Sequence, residues 1–402
     1  MKIAILLLPM LLPLLISCQT GADRVISKQG EIRILSEDDV LCGAERMDQY
    51  METISGKKLA LVVNHSSKVN QTHLVDTLRR LGQDISIIFS PEHGYKGHSD
   101  AGAIINDAKD KQTGTRIVSL YGKKKKPAAE DLTAVDLVLF DIQDVGVRFY
   151  TYISTMHYVM EACAEQDIPI LILDRPNPNG YYVDGPVLEP GYSSFVGMHP
   201  VPVVHGMTVG EYALMINEEG WLGNELKCDL EVITCLDYDH QSTYILPLKP
   251  SPNLPNLRSI LLYPSLCFFE ATDMSIGRGT NKQFQIIGSP ASKIGDYYFT
   301  PVPMPGASNP KLNGQECIGI DLSQEKIEDL LKKSSLNLQY LIDFQASNSM
   351  KIDRPKFFDK LAGTQTLRQQ VLDGYSKDVI RKGWEPALSA YKEMRINYLL
   401  YP

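Results

Sequence analysis

Polar and charged residues recur directly after short apolar runs in this chain of 402 residues, and their types are those of acid–base chemistry. Ile85 to Phe89 runs into Ser90-Pro91-Glu92-His93-Gly94, and Leu137 to Phe140 into Asp141-Ile142-Gln143-Asp144. Ile170 to Leu173 runs into Asp174-Arg175-Pro176-Asn177, and Leu59 to Val63 into Asn64-His65. A carboxyl group at the lip of an apolar sheet is desolvated, which favours the protonated form that a general acid needs. Glu92 is the first candidate, in a turn that Gly94 allows to be sharp, with His93 beside it to tune or orient it. Asp141 and Asp144 form a second acidic cluster. Either can serve as base or charge stabiliser opposite Glu92, or the two together can hold Mg²⁺ or Ca²⁺. Asp144 has a plainer alternative, capping the segment that follows.

Other candidates would bind rather than react. Arg148 and Arg175 are forks for a ligand carboxylate, or internal partners of Asp144 and Asp174. Asn64, His65, Gln143, Tyr150, Asp174, Asn177 and His205 are the remaining polar positions expected to face a ligand. Glu211 belongs instead to a capping box, Thr208-Val209-Gly210-Glu211. From the second half, Glu270 and the Gly277-Arg278-Gly279 turn can add binding groups. No GxSxG, HExxH, P-loop or GxGxxG occurs, so neither a cofactor nor a nucleotide is expected. His93, His98 and Asp100 match no standard metal-ligand spacing, and no metal site is assigned.

The elements that must position these residues read as βα repeats. Short apolar runs alternate with helix-length segments such as Thr72 to Leu81, Tyr152 to Glu165 and Thr208 to Glu219. Parallel strands buried on both faces look like this, and ligands bind outside their carboxyl ends. The predicted class is α/β: a Rossmann-like, largely parallel sheet flanked by helices over 31–256. Pro247, Pro250, Pro252, Pro255 and Pro264 read as a stiff connection. A smaller α+β domain over 257–402 is expected to cap the cleft, with helical stretches near 323–335 and 364–381.

Apolar residues at 44% and charged residues at 22% describe a globular chain, and a net charge of −8 argues against nucleic acid as partner. Lys2 and the apolar stretch from Ile3 to Ile16 have signal-peptide proportions. The sequence Leu15-Ile16-Ser17-Cys18 resembles a bacterial lipobox. It implies a leader at 1–18, lipid on Cys18, a tether at 19–30, and a place on the periplasmic side of the envelope, on the outer membrane. The six other cysteines are sparse and form no CxxC pair.

Taken in order, the segments Pro91-Glu92-His93-Gly94, Phe140 to Gly146, Arg148-Phe149-Tyr150-Thr151-Tyr152, Asp174 to Pro178, His205-Gly206-Met207-Thr208 and Ser251 to Pro255 resemble the exo-β-N-acetylmuramidase family. The likeness runs from about residue 40 to the end. It implies a Rossmann-like domain, a smaller second domain and a cleft between them. It also implies release of terminal N-acetylmuramic acid from the non-reducing ends of peptidoglycan fragments, including the disaccharide with N-acetylglucosamine, and carries the proposed catalytic glutamate to Glu92. Val204 stands where the family usually has Arg, Asp273 where it tends to have Asn, and Ile276 near a frequent Glu. Fine specificity, such as tolerance for a peptide on the lactyl group, is therefore not carried over.

Glycoside hydrolysis needs a protonated carboxyl on the leaving oxygen and a second group opposite. Asp141, Asp144 or the substrate's own acetamido group remain open for that second role. The lactyl carboxylate would meet Arg148, Arg175 or Arg278. The rival readings are a metal-dependent hydrolase built on Asp141 and Asp144, and a lipoprotein that holds muropeptides without turnover.

Overall fold

A computed structural model of the chain describes residues 32–97, 100, 107–110 and 113–402. The leader, Cys18, the tether and His98 lie outside the described residues.

Among the described residues seven strands form the main sheet, in the order Leu230–Ile233, Ile170–Leu173, Leu137–Asp141, Lys58–Val63, Asp84–Ser90, Arg116–Ser119 and Ala108–Lys109. The first six are parallel, and the short seventh pairs antiparallel with Arg116–Ser119. The chain enters at Lys58–Val63 in the middle and steps outward to Arg116–Ser119. It then returns to Leu137–Asp141 on the other side of its first strand and steps to the opposite edge. Leaving aside the antiparallel strand, this is the doubly wound order 3-2-1-4-5-6, which reverses between Lys58–Val63 and Leu137–Asp141.

Alternation along each strand divides its side chains between two cores. Leu59, Leu61 and Val63 face the core that receives Leu74, Val75 and Leu78 of the helix Leu74–Arg80. Ala60 and Val62 face the other, filled by the helices Tyr152–Glu165 and Val209–Glu218. One extra residue at Ser86 breaks the register against Leu59 and Ala60. After that bulge the phase shifts, so Ile85 and Ile88 share one core while Ile87 and Phe89 enter the other.

Helix boundaries follow local chemistry. Thr208 and Glu211 form the reciprocal capping box their spacing predicts: the Thr208 hydroxyl accepts from the Glu211 amide, and the Glu211 carboxylate accepts from the Thr208 amide. The proline-rich stretch does not end as a linker. Asn256 caps a helix at Leu257–Leu266 with Pro264 inside it, and the Pro250 carbonyl accepts from the Tyr150 and Tyr152 hydroxyls.

Beyond this point Cys317–Asp321 lies between Ile286–Ser289 and Tyr297–Phe299 in an antiparallel sheet. Helices follow at Ile327–Lys333, Gln339–Ala346, Pro355–Ala362, Thr366–Leu372 and Lys377–Arg395. The second of these, only eight residues long, carries no clear period in the sequence, whereas the third buries Phe358, Leu361 and Ala362 on one face. Apolar side chains of the second half, among them Tyr263, Phe268, Phe284 and Phe358, join the core that contains Phe140 and Phe149. Residues 32–402 form one compact unit.

Candidate active site

Glu92 sits just past the Asp84–Ser90 strand, half-buried, on the wall of a cavity of about 400 Å³. The turn that carries it is tightly specified. His93 takes a left-handed backbone (φ 68°), uncommon outside glycine, and Gly94 follows at φ 73°. Gly97 closes the turn against the His65 ring, where an added Cβ would lie 2.0 Å from Nδ1. His65 is fixed in turn by a hydrogen bond from Nε2 to the Lys249 carbonyl at 2.7 Å.

A threonine hydroxyl orients the Glu92 carboxylate. Thr151 holds the N-cap position of Tyr152–Glu165, yet its hydroxyl does not cap that helix. It donates to Glu92 Oε2 at 2.9 Å. The Tyr121 side chain shares the cavity wall with Glu92, and burial followed by the Glu92 charge raises the Tyr121 pKa. Aromatic rings make much of the remaining wall: Phe149, Tyr150, Phe195, Tyr263, Phe284 and Phe357.

Glu270 and Arg278 lie on the same cavity and form an ion pair, Arg278 Nε to Glu270 Oε1 at 2.5 Å. Burial pushes the Glu270 carboxyl upward, but the Arg278 guanidinium outweighs it and holds the group below its usual value. The other face of Arg278 stacks over Phe284, 5.1 Å from the ring centre. Arg354 donates to the Glu270 carbonyl, and Lys311 donates to the carbonyls of Phe269, Glu270 and Thr272. These cations are thus occupied in fixing the turn that presents Glu270. Asn253 is fully buried on the cavity wall; its Nδ2 donates to the Gly306 carbonyl at 2.8 Å, and its Oδ1 meets no donor among the described residues. An adjoining cavity of about 550 Å³ shares Glu270, Arg278 and Arg354 and extends to Asp100, whose carboxylate accepts from the Ser308 amide.

Of the residues the sequence nominates, Glu92, His93, Tyr150, Glu270 and Arg278 come together on this cavity. The rest do not line it. The crevice at the strand-order reversal is filled by the chain's own hydrogen bonds. Asn64 Oδ1 accepts from the Ser66 amide and hydroxyl, the Ser66 hydroxyl accepts from the Gln143 amide, and the Ser67 hydroxyl donates to the Asp141 carbonyl. Gln143 Nε2 donates to the carbonyls of Asp144 and Pro176. Asp141 and Arg175 form a bidentate, fully buried ion pair at 2.5 and 2.9 Å. Burial opposes the charge on Arg175, but the Asp141 carboxylate outweighs it and raises the guanidinium pKa.

The other nominated residues also serve the scaffold. Arg148 is a correction to the expected ligand fork: it is wholly buried, and its guanidinium donates to the carbonyls of Pro186, Val201 and Leu361. Asp174 accepts from the Gly210 amide at a helix start and from the Thr208 and Tyr401 hydroxyls, while burial pushes its carboxyl up to about 6. Asn177 bonds the Met207 carbonyl and packs against Gly146, where a Cβ would lie 2.0 Å from its Oδ1. His205 is buried and neutral, its pKa lowered by burial to about 3, with Nδ1 accepting from the Met207 amide. Among the described residues no group of three or more His, Cys, Asp or Glu converges as a metal would require.

Asp144 is the most unusual of these. Its Oδ1 accepts from the Gly146 amide at 2.7 Å, and its Oδ2 has no donor among the described residues. Burial lifts its carboxyl to about 7, against the pull of the Gly146 and Val145 amides. A folded-state pKa above the unfolded value of about 4 means that the folded chain binds the proton more tightly. This stabilisation is complete below about pH 4 and is lost as pH rises to about 7. Asp144→Asn removes it, so the stability of the variant relative to the parent should rise by on the order of 3 kcal/mol from about pH 4 to pH 8. Urea midpoints at the two pH values measure this. A difference independent of pH would show that the site does not hold the proton.

Tyr121, Thr151, Asn253 and Arg354 were not singled out from sequence. Tyr121 follows the strand Arg116–Ser119, so the strand-end rule applied to that short run would have found it. Arg354 carries no comparable signal, since it arrives from a different part of the chain.

Residues 59–258 match the N-terminal domain described as exo-beta-N-acetylmuramidase NamZ, and residues 261–401 match its C-terminal domain. The peptidoglycan beta-N-acetylmuramidase NamZ of Bacillus subtilis is 37% identical over 377 residues, covering 88% of this chain and 89% of that protein. Two crystal structures of DUF1343 family proteins from Bacteroides fragilis share the fold. One has a TM-score of 0.84 at 45% identity and the other 0.77 at 27%, each covering 90% of this chain and 99% of its own. The chain therefore belongs to the exo-beta-N-acetylmuramidase NamZ family of glycoside hydrolases.

Proposed function

We propose that this protein releases terminal β-linked N-acetylmuramic acid from the non-reducing ends of peptidoglycan fragments, with Glu92 as the general acid. The observation that carries the reading is the presence, on one cavity, of a carboxyl anchored by the Thr151 hydroxyl and a guanidinium anchored by a second carboxylate. Glu92 would protonate the glycosidic oxygen as the bond to the sugar breaks. Glu270, kept ionised by Arg278, is the second carboxylate on the cavity and is suited to orient the attacking group or to balance the positive charge that develops on the sugar. The aromatic walls offer flat apolar faces to the ring, and Asn253 Oδ1 offers an acceptor for a hydroxyl or for the acetamido N–H.

N-acetylmuramic acid differs from N-acetylglucosamine by its lactyl ether, which carries a carboxylate. Arg278 is about a quarter exposed in the cavity, and only its Nε is committed to Glu270 in the ion pair. Its remaining donors suit that carboxylate. The test uses three chromogenic β-glycosides: N-acetylmuramic acid, its uncharged lactyl amide, and N-acetylglucosamine. The parent protein should prefer the acid. Arg278→Gln should slow cleavage of both substrates through the loss of its support for Glu270, and should lower kcat/KM for the acid by about 10- to 100-fold more than for the amide. Failure of the folded parent to cleave any of the three would overturn the proposed activity. Equal losses on acid and amide would overturn only the role given to Arg278.

A further inference from the structure

The six cysteines among the described residues are all buried and unbridged. Two of them are placed opposite one another by the backbone. Leu41 and Leu236 exchange both main-chain hydrogen bonds across an isolated antiparallel bridge, at 3.2 and 2.8 Å. In such a ladder the next two residues, Cys42 and Cys235, form a pair without hydrogen bonds between them, the kind in which Cα atoms approach to about 4.5 Å. Side-chain alternation agrees. Leu41 and Leu236 are 47% and 46% exposed, whereas Cys42 and Cys235 are 3% and 6% exposed and turn inward together. The Cys235 thiol donates to the Asp174 carbonyl at 3.3 Å, and the Cys42 thiol is near enough for the two to influence each other's ionisation. A disulfide needs Cα atoms roughly 4.4–6.8 Å apart with converging Cβ bonds, which is the spacing that a non-hydrogen-bonded antiparallel pair supplies. Cys163 and Cys228 also influence each other's ionisation, but Cys163 sits on a helix and no strand pairing sets their approach.

We propose that Cys42 and Cys235 are an oxidation site, closing a cross-strand disulfide when the chain folds in an oxidising compartment such as the one its apolar leader predicts. The oxidant is a disulfide, either glutathione disulfide or the active disulfide of a thiol oxidoreductase. One cysteine thiolate attacks it to give a mixed disulfide, and the second displaces the remaining thiol. The Cys42–Cys235 bond forms, the oxidant's bond breaks, and its two sulfurs leave as thiols carrying the two protons. The bond would fasten the start of the folded unit. Residues 32–42 are held by a two-stranded pairing of Arg33–Leu35 with Ser242–Tyr244, by the Leu41–Leu236 bridge, and by the docking of Gly43 on the Asp174 carbonyl. Any load carried by a tether on this side would reach that segment first.

The chain from residue 19 contains the whole compact unit and is the protein to test. It is reduced, unfolded, refolded with reduced and oxidised glutathione, denatured, alkylated and mapped by mass spectrometry without reductant. The expected result is one linked peptide pair, Cys42 with Cys235, with the other four cysteines alkylated. The oxidised protein should melt about 5 °C above the reduced one, because the bond closes a loop of roughly 190 residues in the unfolded chain. That gain should vanish with reductant and in Cys42→Ser. Alkylation of all six cysteines, or a linkage confined to Cys163 and Cys228, would overturn the proposal.

Discussion

Glu92→Gln is expected to lower kcat/KM for the disaccharide of N-acetylmuramic acid and N-acetylglucosamine by about 10²- to 10⁴-fold, the range that general acid catalysis supplies. The amide keeps the size of the carboxyl and can still accept from Thr151, so the cavity should keep its shape. What it loses is the transferable proton. The size of the loss should therefore depend on the leaving group. N-acetylglucosamine departs as a poor leaving group unless its oxygen is protonated, whereas an activated aryl group departs with little help. The variant should be much more impaired on the disaccharide than on a nitrophenyl glycoside of the same sugar. Equal impairment on both would point to lost binding or orientation and would remove Glu92 from the acid role. Thermal unfolding of the variant, compared with the parent, separates either result from misfolding.

The second large effect is on stability. Asp141→Ala should cost about 3–5 kcal/mol, because it leaves the Arg175 guanidinium buried without its counter-charge. The pair lies at the strand-order reversal, and Arg175 also donates to the Lys68 carbonyl. Replacing both partners with apolar residues of similar volume, Asp141→Leu with Arg175→Met, should recover much of the loss, since neither charge then needs compensation. Denaturant midpoints of the two single variants and the double variant measure this directly. The double variant also decides between scaffold and chemistry. If its folded fraction retains cleavage, Asp141 serves the scaffold; activity as low as that of Glu92→Gln, in a folded protein, would return Asp141 to the reacting groups.

Much of this protein was legible along the chain because its parallel strands are short and apolar on both faces. Those runs gave the strands, the polar residues ended them, and the helices between them carried clear periodicity or a capping box, as at Thr208 and Glu211. Pro91-Glu92-His93-Gly94 also stood out locally, since a carboxyl between a proline and a left-handed turn has few structural uses. What sequence order does not contain is which strand ends share a cavity.

Asn64, Asp141, Gln143 and Asp174 stand at strand ends just as Glu92 does, yet their side chains bond to neighbouring turns, to Arg175 and to a helix start, and close the crevice where the strand order reverses. The open cavity lies beside the ends of Asp84–Ser90 and Arg116–Ser119, under Glu270, Arg278 and Arg354 from the second half. Local sequence determined which residues could react, because chemistry and turn geometry are properties of a few neighbouring residues. Only the tertiary structure decided which of them face a ligand, because a buried carboxylate or guanidinium takes whichever partner the packing brings within hydrogen-bond reach. For Asp141 and Arg148 that partner is the protein itself.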